Sequence, residues 1–312
     1  MIRAVGFQLT LPRLLPTIRP LMDLQGSFVA LVTPYKNGEV DLDKLRELVD
    51  FQLKNGTQGF CPAATTGEGP SLTAQERHAI VKTIVGMTRG KALVFPGTGT
   101  YNTSESIEQT KMARELGADG ALMVTPYYNK PTQEGLFRHY EAVTKAVNFP
   151  IMLYNVPART GVSLAPETTA RLSKIPTIVA LKDASGNVEQ VTQVRLLCDI
   201  KIFSGEDSLT YSILALGGGG VVSVAANVIP RAVSDLCASA LKGDFAKARE
   251  IHDRCFPIFK DLFIETNPGP VKAALRKMGL YNGELRLPLA PMSAASEEKL
   301  EKTLRACKVL SG

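Results

Sequence analysis

Eight short apolar runs recur along the chain, and an amphipathic stretch follows each of them. The runs are Phe28–Thr33, Gly59–Pro62, Ala92–Gly97, Gly120–Thr125, Ile151–Asn155, Ile178–Lys182, Lys201–Ser204 and Gly220–Val224. Each is short, β-rich and closed by turn residues, the pattern of a buried strand. Helical patterns lie between them near 43–55, 73–89, 104–116, 132–147, 166–174, 187–197 and 207–216. Start signals support them: Asp41 precedes the first, and Thr73-Ala74-Gln75-Glu76 has the form of a capping box before the second. One strand and one helix, eight times over, favours a closed parallel barrel over an open doubly wound sheet. After Val224 the pattern turns helical, at 230–241, 244–262, 269–279 and 296–308. One of these helices completes the barrel and the rest form an appendage. The expected fold is therefore a (β/α)8 TIM barrel over 22–245 with a C-terminal helical region over 246–312. No low-complexity linker separates them, so the two parts are expected to pack together.

Bulk properties exclude several classes of function. The chain has 312 residues, 45% hydrophobic and 21% charged, an ordinary globular composition. The net charge is +6, but Arg3, Arg13 and Arg19 lie in an acid-free leader, and without them it is +3. There are no Lys/Arg runs, so nothing points to nucleic acid, and an anionic small substrate fits equally well. Residues 1–21 read as an extension, disordered or non-native: a targeting peptide, an upstream start or a tail. No apolar stretch is long enough to span a bilayer. Cys61, Cys198, Cys237, Cys255 and Cys307 are odd in number and form no CxxC pair. Free thiols in a reducing compartment, the cytoplasm, are expected. His78, His139 and His252 show no metal-ligand spacing, so no metal site is expected; all three read as surface histidines.

In a parallel barrel, chemistry sits where strands end and the following loops begin. The second strand ends in Thr65-Thr66-Gly67-Glu68, and the fourth in Pro126-Tyr127-Tyr128-Asn129. The fifth ends in Tyr154-Asn155 and continues to Arg159; the sixth ends in Lys182-Asp183; the seventh in Gly205-Glu206-Asp207; the eighth runs through Val222-Ser223. Hydroxyls, phenols, one arginine and one lysine thus meet on one rim. Lys182 closes the apolar run Ile178-Val179-Ala180-Leu181. Burial there disfavours the ammonium form, and a neutral amine is a nucleophile for carbonyl carbon. On local grounds alone Lys182 is more often an amine that snorkels past the strand end. Thr65-Thr66 is more often a plain cap, and Arg159 a solvated loop charge.

Several motifs together resemble the pyruvate-dependent class I aldolases, the superfamily that includes N-acetylneuraminate lyase, and within it the dihydrodipicolinate synthase family. They are TTGE at 65–68, VTPYYNKPTQEG at 124–135, YNVPARTG at 154–161, LKDASG at 181–186, FSGED at 203–207 and NPGPVK at 267–272. The resemblance runs from about Met22 to near the C-terminus. It implies a lyase that condenses pyruvate with aspartate 4-semialdehyde in lysine and diaminopimelate biosynthesis. It implies no cofactor beyond a covalent imine between Lys182 and pyruvate. Tyr154 is implied as the general acid/base, relayed through Thr65 and Tyr128. A phenol's ordinary pKa lies far above neutrality, so such a relay is needed. Thr66 and the N–H groups of its turn are implied to hold the pyruvate carboxylate. Arg159 is implied to bind the semialdehyde carboxylate, and Gly205 and Val222 to complete the pocket wall. A homo-oligomer is implied as well, a tetramer built as a dimer of dimers, with Tyr128 reaching in from the neighbouring subunit.

Other features compete with this expectation. Gly97-Thr98-Gly99 opens like a dinucleotide fingerprint but has Asn102 where the third glycine belongs. Gly217–Gly220 lacks the lysine of a phosphate loop and reads as a turn. Within the superfamily, a lyase acting on a sugar acid such as N-acetylneuraminate is the alternative; sugar-acid members generally lack an arginine at the position of Arg159. A silent barrel that only binds a keto acid conflicts with the intact set Lys182, Tyr154, Thr65 and Tyr128. Some family members are inhibited by lysine, and Tyr127 and Glu105 match that regulatory site. Ala74, Arg77 and Tyr101 depart from it, and Arg77 would repel a lysine ammonium. Weak or absent lysine inhibition is expected.

Overall fold

Alternation with a period of two decides the architecture, because each strand has one apolar face for the lumen and one for the helices. The computed structural model describes residues 24–310; the extension expected at 1–21 lies outside them. Eight strands form one parallel sheet: β1 Gly26–Val29, β2 Gly59–Phe60, β3 Leu93–Val94, β4 Ala121–Val124, β5 Ile151–Asn155, β6 Ile178–Asp183, β7 Lys201–Ser204 and β8 Gly220–Ser223. Their order is β3-β2-β1-β8-β7-β6-β5-β4. The ring closes between β3 and β4 through a parallel bridge from Gly97 to Leu122. There the Leu122 N–H donates to the Pro96 carbonyl at 2.9 Å and the Thr98 N–H to the Leu122 carbonyl at 3.0 Å.

A helix follows each strand: α1 Leu42–Lys54, α2 Ala74–Thr88, α3 Thr103–Glu115, α4 Gln133–Val147, α5 Pro166–Leu172, α6 Val188–Leu197, α7 Thr210–Ala215 and α8 Pro230–Leu241. The start signals act as expected. The Asp41 carboxylate accepts from the Lys44 N–H, and Thr73 with Glu76 forms a reciprocal capping box. Beyond the barrel lie α9 Phe245–Asp261, α10 Gly269–Lys277 and α11 Ala294–Ala306. Of these, α9 packs on α8, and α11 packs on both α9 and α10. No described helix is long and apolar enough to cross a membrane.

Leu153, Leu181, Ile202 and Val221 face the helices within the main core, while Met152, Ala180, Phe203 and Val222 fill the lumen. Three aromatic rings plug its N-terminal half. Phe28 lies 5.1 Å from Phe203 and 6.1 Å from Phe95, centroid to centroid. Two glycines make room for them. A Cβ on Gly59 would meet the Phe28 ring at 2.4 Å, and one on Gly120 the Phe95 ring at 2.3 Å.

Three departures from expectation have local causes. The regular ladders of β2 and β3 are shorter than 59–62 and 92–97, because Pro62 and Pro96 have no N–H to donate. Pairing nevertheless continues past them, with Gly97 N–H donating to the Pro62 carbonyl at 2.9 Å. A small hairpin, Tyr35–Lys36 with Glu39–Val40, precedes α1. It turns on Asn37 and Gly38, both in the left-handed region. His139, expected at the surface, is instead buried on the inner side of α4. Its Nδ1 meets the Thr103 hydroxyl at 2.9 Å, and desolvation pushes its pKa down to about 4.

Candidate active site

Lys182 faces inward for the same reason that Ala180 does: they stand two residues apart on β6. The intervening Leu181 points to the helices. Lys182 is only 4% exposed, in spite of its position near the strand end. Parallel register sets it beside Tyr154 of β5, and its Nζ lies 4.0 Å from the centroid of the Tyr154 ring. The outward neighbours of this pair lock the two strand ends together. Asn155 Nδ2 donates to Asp183 Oδ2 at 3.2 Å, while Asn155 Oδ1 accepts from the Leu164 N–H at 2.9 Å. Asp183 Oδ1 accepts from the Ser185 hydroxyl at 2.6 Å. Buried polar groups satisfied in this way hold a single geometry.

The next two strand ends are built similarly. The Gly205 N–H donates to the Asp183 carbonyl at 2.6 Å, and a Cβ there would press on Ala184 at 2.7 Å. Asp207 is buried and accepts from the Ser223 hydroxyl at 2.5 Å and from the N–H groups of Val224 and Ala225 at 3.0 and 2.9 Å. Burial raises its pKa, against the pull of these donors and of Lys182. The carboxylate thus fixes the chain just after Val222. Cys61 also faces the lumen; desolvation pushes its thiol up to about 12, against the opposing charge of Lys182. The thiol therefore stays protonated and is a poor nucleophile.

A cavity of about 780 Å³ opens over this layer. Thr65, Tyr154, Val156, Arg159 and Asn267 are among its lining, and Lys182 lies against Tyr154 rather than in the cavity wall. Thr66 is buried behind the lining, where its Oγ1 accepts from Asn267 Nδ2 at 3.0 Å. Arg159 Nη2 donates to the Asn267 carbonyl at 3.3 Å. Gly205 and Val222 sit at the strand ends but outside the lining. Tyr128 is 91% exposed and does not line the cavity, so one chain does not bring it to Tyr154.

The same cavity is also lined by Ala74, Arg77, Tyr101, Glu105 and Tyr127. The Arg77 guanidinium is buried and donates to the carbonyls of Ala63, Gly97 and Gly69 at 3.0, 2.7 and 2.8 Å. It ties the loops after β2 and β3 to α2. Tyr101 and Tyr127 meet edge to face at 5.3 Å. Burial raises the pKa of the Tyr127 phenol, with Glu105 adding to the effect. No group of side chains suited to hold a metal ion occurs among the described residues.

Sequence reasoning assigned no role to Glu68, Asn267 or Lys272, all of which border the Thr65–Thr66 turn. Glu68 and Lys272 form an ion pair in which both side chains are fully buried. The motifs TTGE and NPGPVK contain all three residues, but nothing local signals that the two motifs touch.

Comparison with known proteins agrees with this geometry. The model of the dihydrodipicolinate synthetase family matches residues 23–307. The 4-hydroxy-tetrahydrodipicolinate synthase of Citrifermentans bemidjiense is 51% identical over 288 residues, which cover 92% of this chain and 99% of that one. The solved dihydrodipicolinate synthase of Thermotoga maritima superposes with a TM-score of 0.91 at 42% identity, covering 93% of this chain and all of that one. The solved structure of DHDPS from Cyanidioschyzon merolae with lysine bound gives 0.89 at 40% identity, covering 92% and 99%. The matched span begins ahead of β1 and ends beyond α11, so it takes in every strand end described above, and the chain belongs to the dihydrodipicolinate synthetase family.

Proposed function

We propose that this protein condenses pyruvate with aspartate 4-semialdehyde to 4-hydroxy-tetrahydrodipicolinate through an imine on Lys182. The observation that carries the proposal is the Lys182 amine, held in the lumen against the Tyr154 ring and beneath a cavity bordered by Arg159. The amine adds to the keto carbon of pyruvate, and water leaves. The protonated imine is an electron sink, so a methyl proton departs and an enamine forms. The enamine carbon attacks the aldehyde, whose oxygen takes up a proton. The amino group of the semialdehyde then displaces Lys182 from the imine carbon, which closes the ring and frees the enzyme. No external cofactor enters this sequence.

Tyr154 stands at the right place to carry protons, one strand from Lys182 and on the cavity wall with Thr65. Thr66 and the turn N–H groups hold the pyruvate carboxylate, and Arg159 takes the carboxylate of the semialdehyde. Gly205 and Val222, outside the lining itself, back the pocket wall at the ends of β7 and β8. Tyr128 completes the relay from a second copy of the chain in a homo-oligomer, a dimer of dimers. Its exposure and its positive φ of 70° support that assignment, since a bulky side chain rarely adopts such a backbone without a reason. Arg159 on the cavity wall favours the semialdehyde over a sugar acid.

Borohydride reduction in the presence of pyruvate, followed by mass spectrometry, tests the proposal. A pyruvyl mass increment on the peptide carrying Lys182 is expected. No increment would end it. Given trapping, turnover of aspartate semialdehyde against N-acetylneuraminate separates the two substrate classes.

A further inference from the structure

The Asn267–Lys272 segment has no part in the chemistry above, yet both of its ends reach the turn that carries Thr65 and Thr66. We propose that Lys272, through its buried pair with Glu68, is a positioning residue that holds this turn in its pyruvate-binding shape, an inference that rests on the role given to Thr65 and Thr66. The turn is short and internally bonded. The Glu68 N–H donates to the Thr65 carbonyl at 3.1 Å and the Gly69 N–H to the Ala64 carbonyl at 2.9 Å. Glu68 itself sits at φ 53°, a left-handed conformation that costs free energy for any residue with a Cβ. Something outside the turn must hold it there.

Three contacts from the C-terminal helical region do so. Lys272 Nζ pairs with Glu68 Oε1 and also donates to the Glu284 carbonyl at 2.8 Å. The Arg286 N–H donates to Glu68 Oε2 at 3.2 Å. Asn267 Nδ2 donates to Thr66 Oγ1 at 3.0 Å. The ammonium lies 4.3 Å from the Tyr35 ring and 5.3 Å from the Tyr281 ring, so it is walled from water on both sides. A fully buried ion pair is weak evidence for stability, because desolvation opposes its attraction. What it does provide is one fixed geometry, here two residues from Thr66 and three from Thr65.

The arrangement also gives a pH signature. Burial pushes the Lys272 ammonium down to about 8, with Glu68 opposing the shift. The other groups facing it are Glu284, Arg286, Tyr35 and Tyr281. Burial raises both phenols, and Glu76 raises Arg286, so neither the phenols nor the guanidinium lose a proton near pH 8. Above that pH the pair loses its positive member, and the turn loosens.

The test is the pyruvate KM of the full-length enzyme from about pH 7 to about pH 9.5, beside that of a Glu68→Gln/Lys272→Met double variant, which buries no charge. The unmodified enzyme should show KM rising above about pH 8 while pyruvate is still trapped on Lys182. The double variant should show a pyruvate KM raised on the order of tenfold to a hundredfold, without the alkaline rise. A KM in the unmodified enzyme that is flat or falling over this range overturns the inference even if no variant folds. A folded double variant with KM within about twofold of the unmodified enzyme does so too. Failure of borohydride trapping in the unmodified enzyme instead counts against the proposed reaction, which keeps the two failures apart.

Discussion

The N-terminal half of the lumen and its C-terminal rim are made by the same strands in the same inward register, yet they solve opposite problems. Below, Phe28, Phe95 and Phe203 interlock, and Gly59 and Gly120 give up side chains to let the rings in. Above, the inward positions pass to Tyr154 and Lys182, and each outward neighbour is a polar group with partners, as in Asn155, Asp183 and Asp207. The change takes place within two residues on β6, between Ala180 and Lys182. Packing stabilises the lower half; the rim spends part of that stability on buried polar groups held for chemistry. Apolar contact needs only volume and is forgiving, whereas a buried amine needs every neighbour in place.

Substitutions that act on one half and spare the other sharpen this contrast. At the rim, Lys182→Met should lower kcat by roughly 10⁴-fold or more while the melting transition changes little. Residual turnover within about tenfold of the unmodified enzyme would break the contrast, since the rim would then be packing like the rest. In the plug, Phe28→Ala should cost about 3–5 kcal/mol of stability by denaturant titration, leaving the pyruvate KM of the folded enzyme in place. A changed KM there would show that the two halves are mechanically one. Tyr154→Phe keeps the ring over Lys182 and removes only the hydroxyl. It should lower kcat by about 10²-fold to 10³-fold and leave pyruvate trapping detectable. Arg159→Ala should raise the KM for aspartate semialdehyde by about tenfold to a hundredfold, the scale of a charged hydrogen bond, with trapping of pyruvate unchanged. The smallest effect is expected from free lysine. Arg77 is already committed to three carbonyls, and inhibition should stay below half-maximal at sub-millimolar lysine. An inhibition curve that reaches its midpoint there contradicts the departures at Ala74, Arg77 and Tyr101.

The sequence made the rim legible because a barrel converts strand ends into neighbours. Once eight alternations are seen, Tyr154 and Lys182 need no further information to be placed side by side. Helix limits were equally accessible where caps exist, as at Asp41 and Thr73. What escaped was long-range or tertiary. Glu68 and Lys272 lie at opposite ends of the chain, and no local pattern pairs them. His139 has polar neighbours in sequence, and only the packing of α3 on α4 shows that it is covered. The hairpin at Asn37-Gly38 did carry a local signal, a two-residue turn of the kind that joins short antiparallel strands. Tyr128 is the reverse case: its motif is plain, but a single chain leaves it in solvent.

The two glycines beneath the phenyl rings have a consequence for traffic. With the rings filling that end of the tube, the cavity bordered by Tyr154 is the doorway that the proposed reaction would use. In the roles proposed for them, Arg159 borders the cavity above Lys182, so a guest on Arg159 would stand in the way of one bound for Lys182. On the proposed reaction this makes a queue, with the keto acid first and the aldehyde second, and the finished ring backing out by the route along which its pieces arrived.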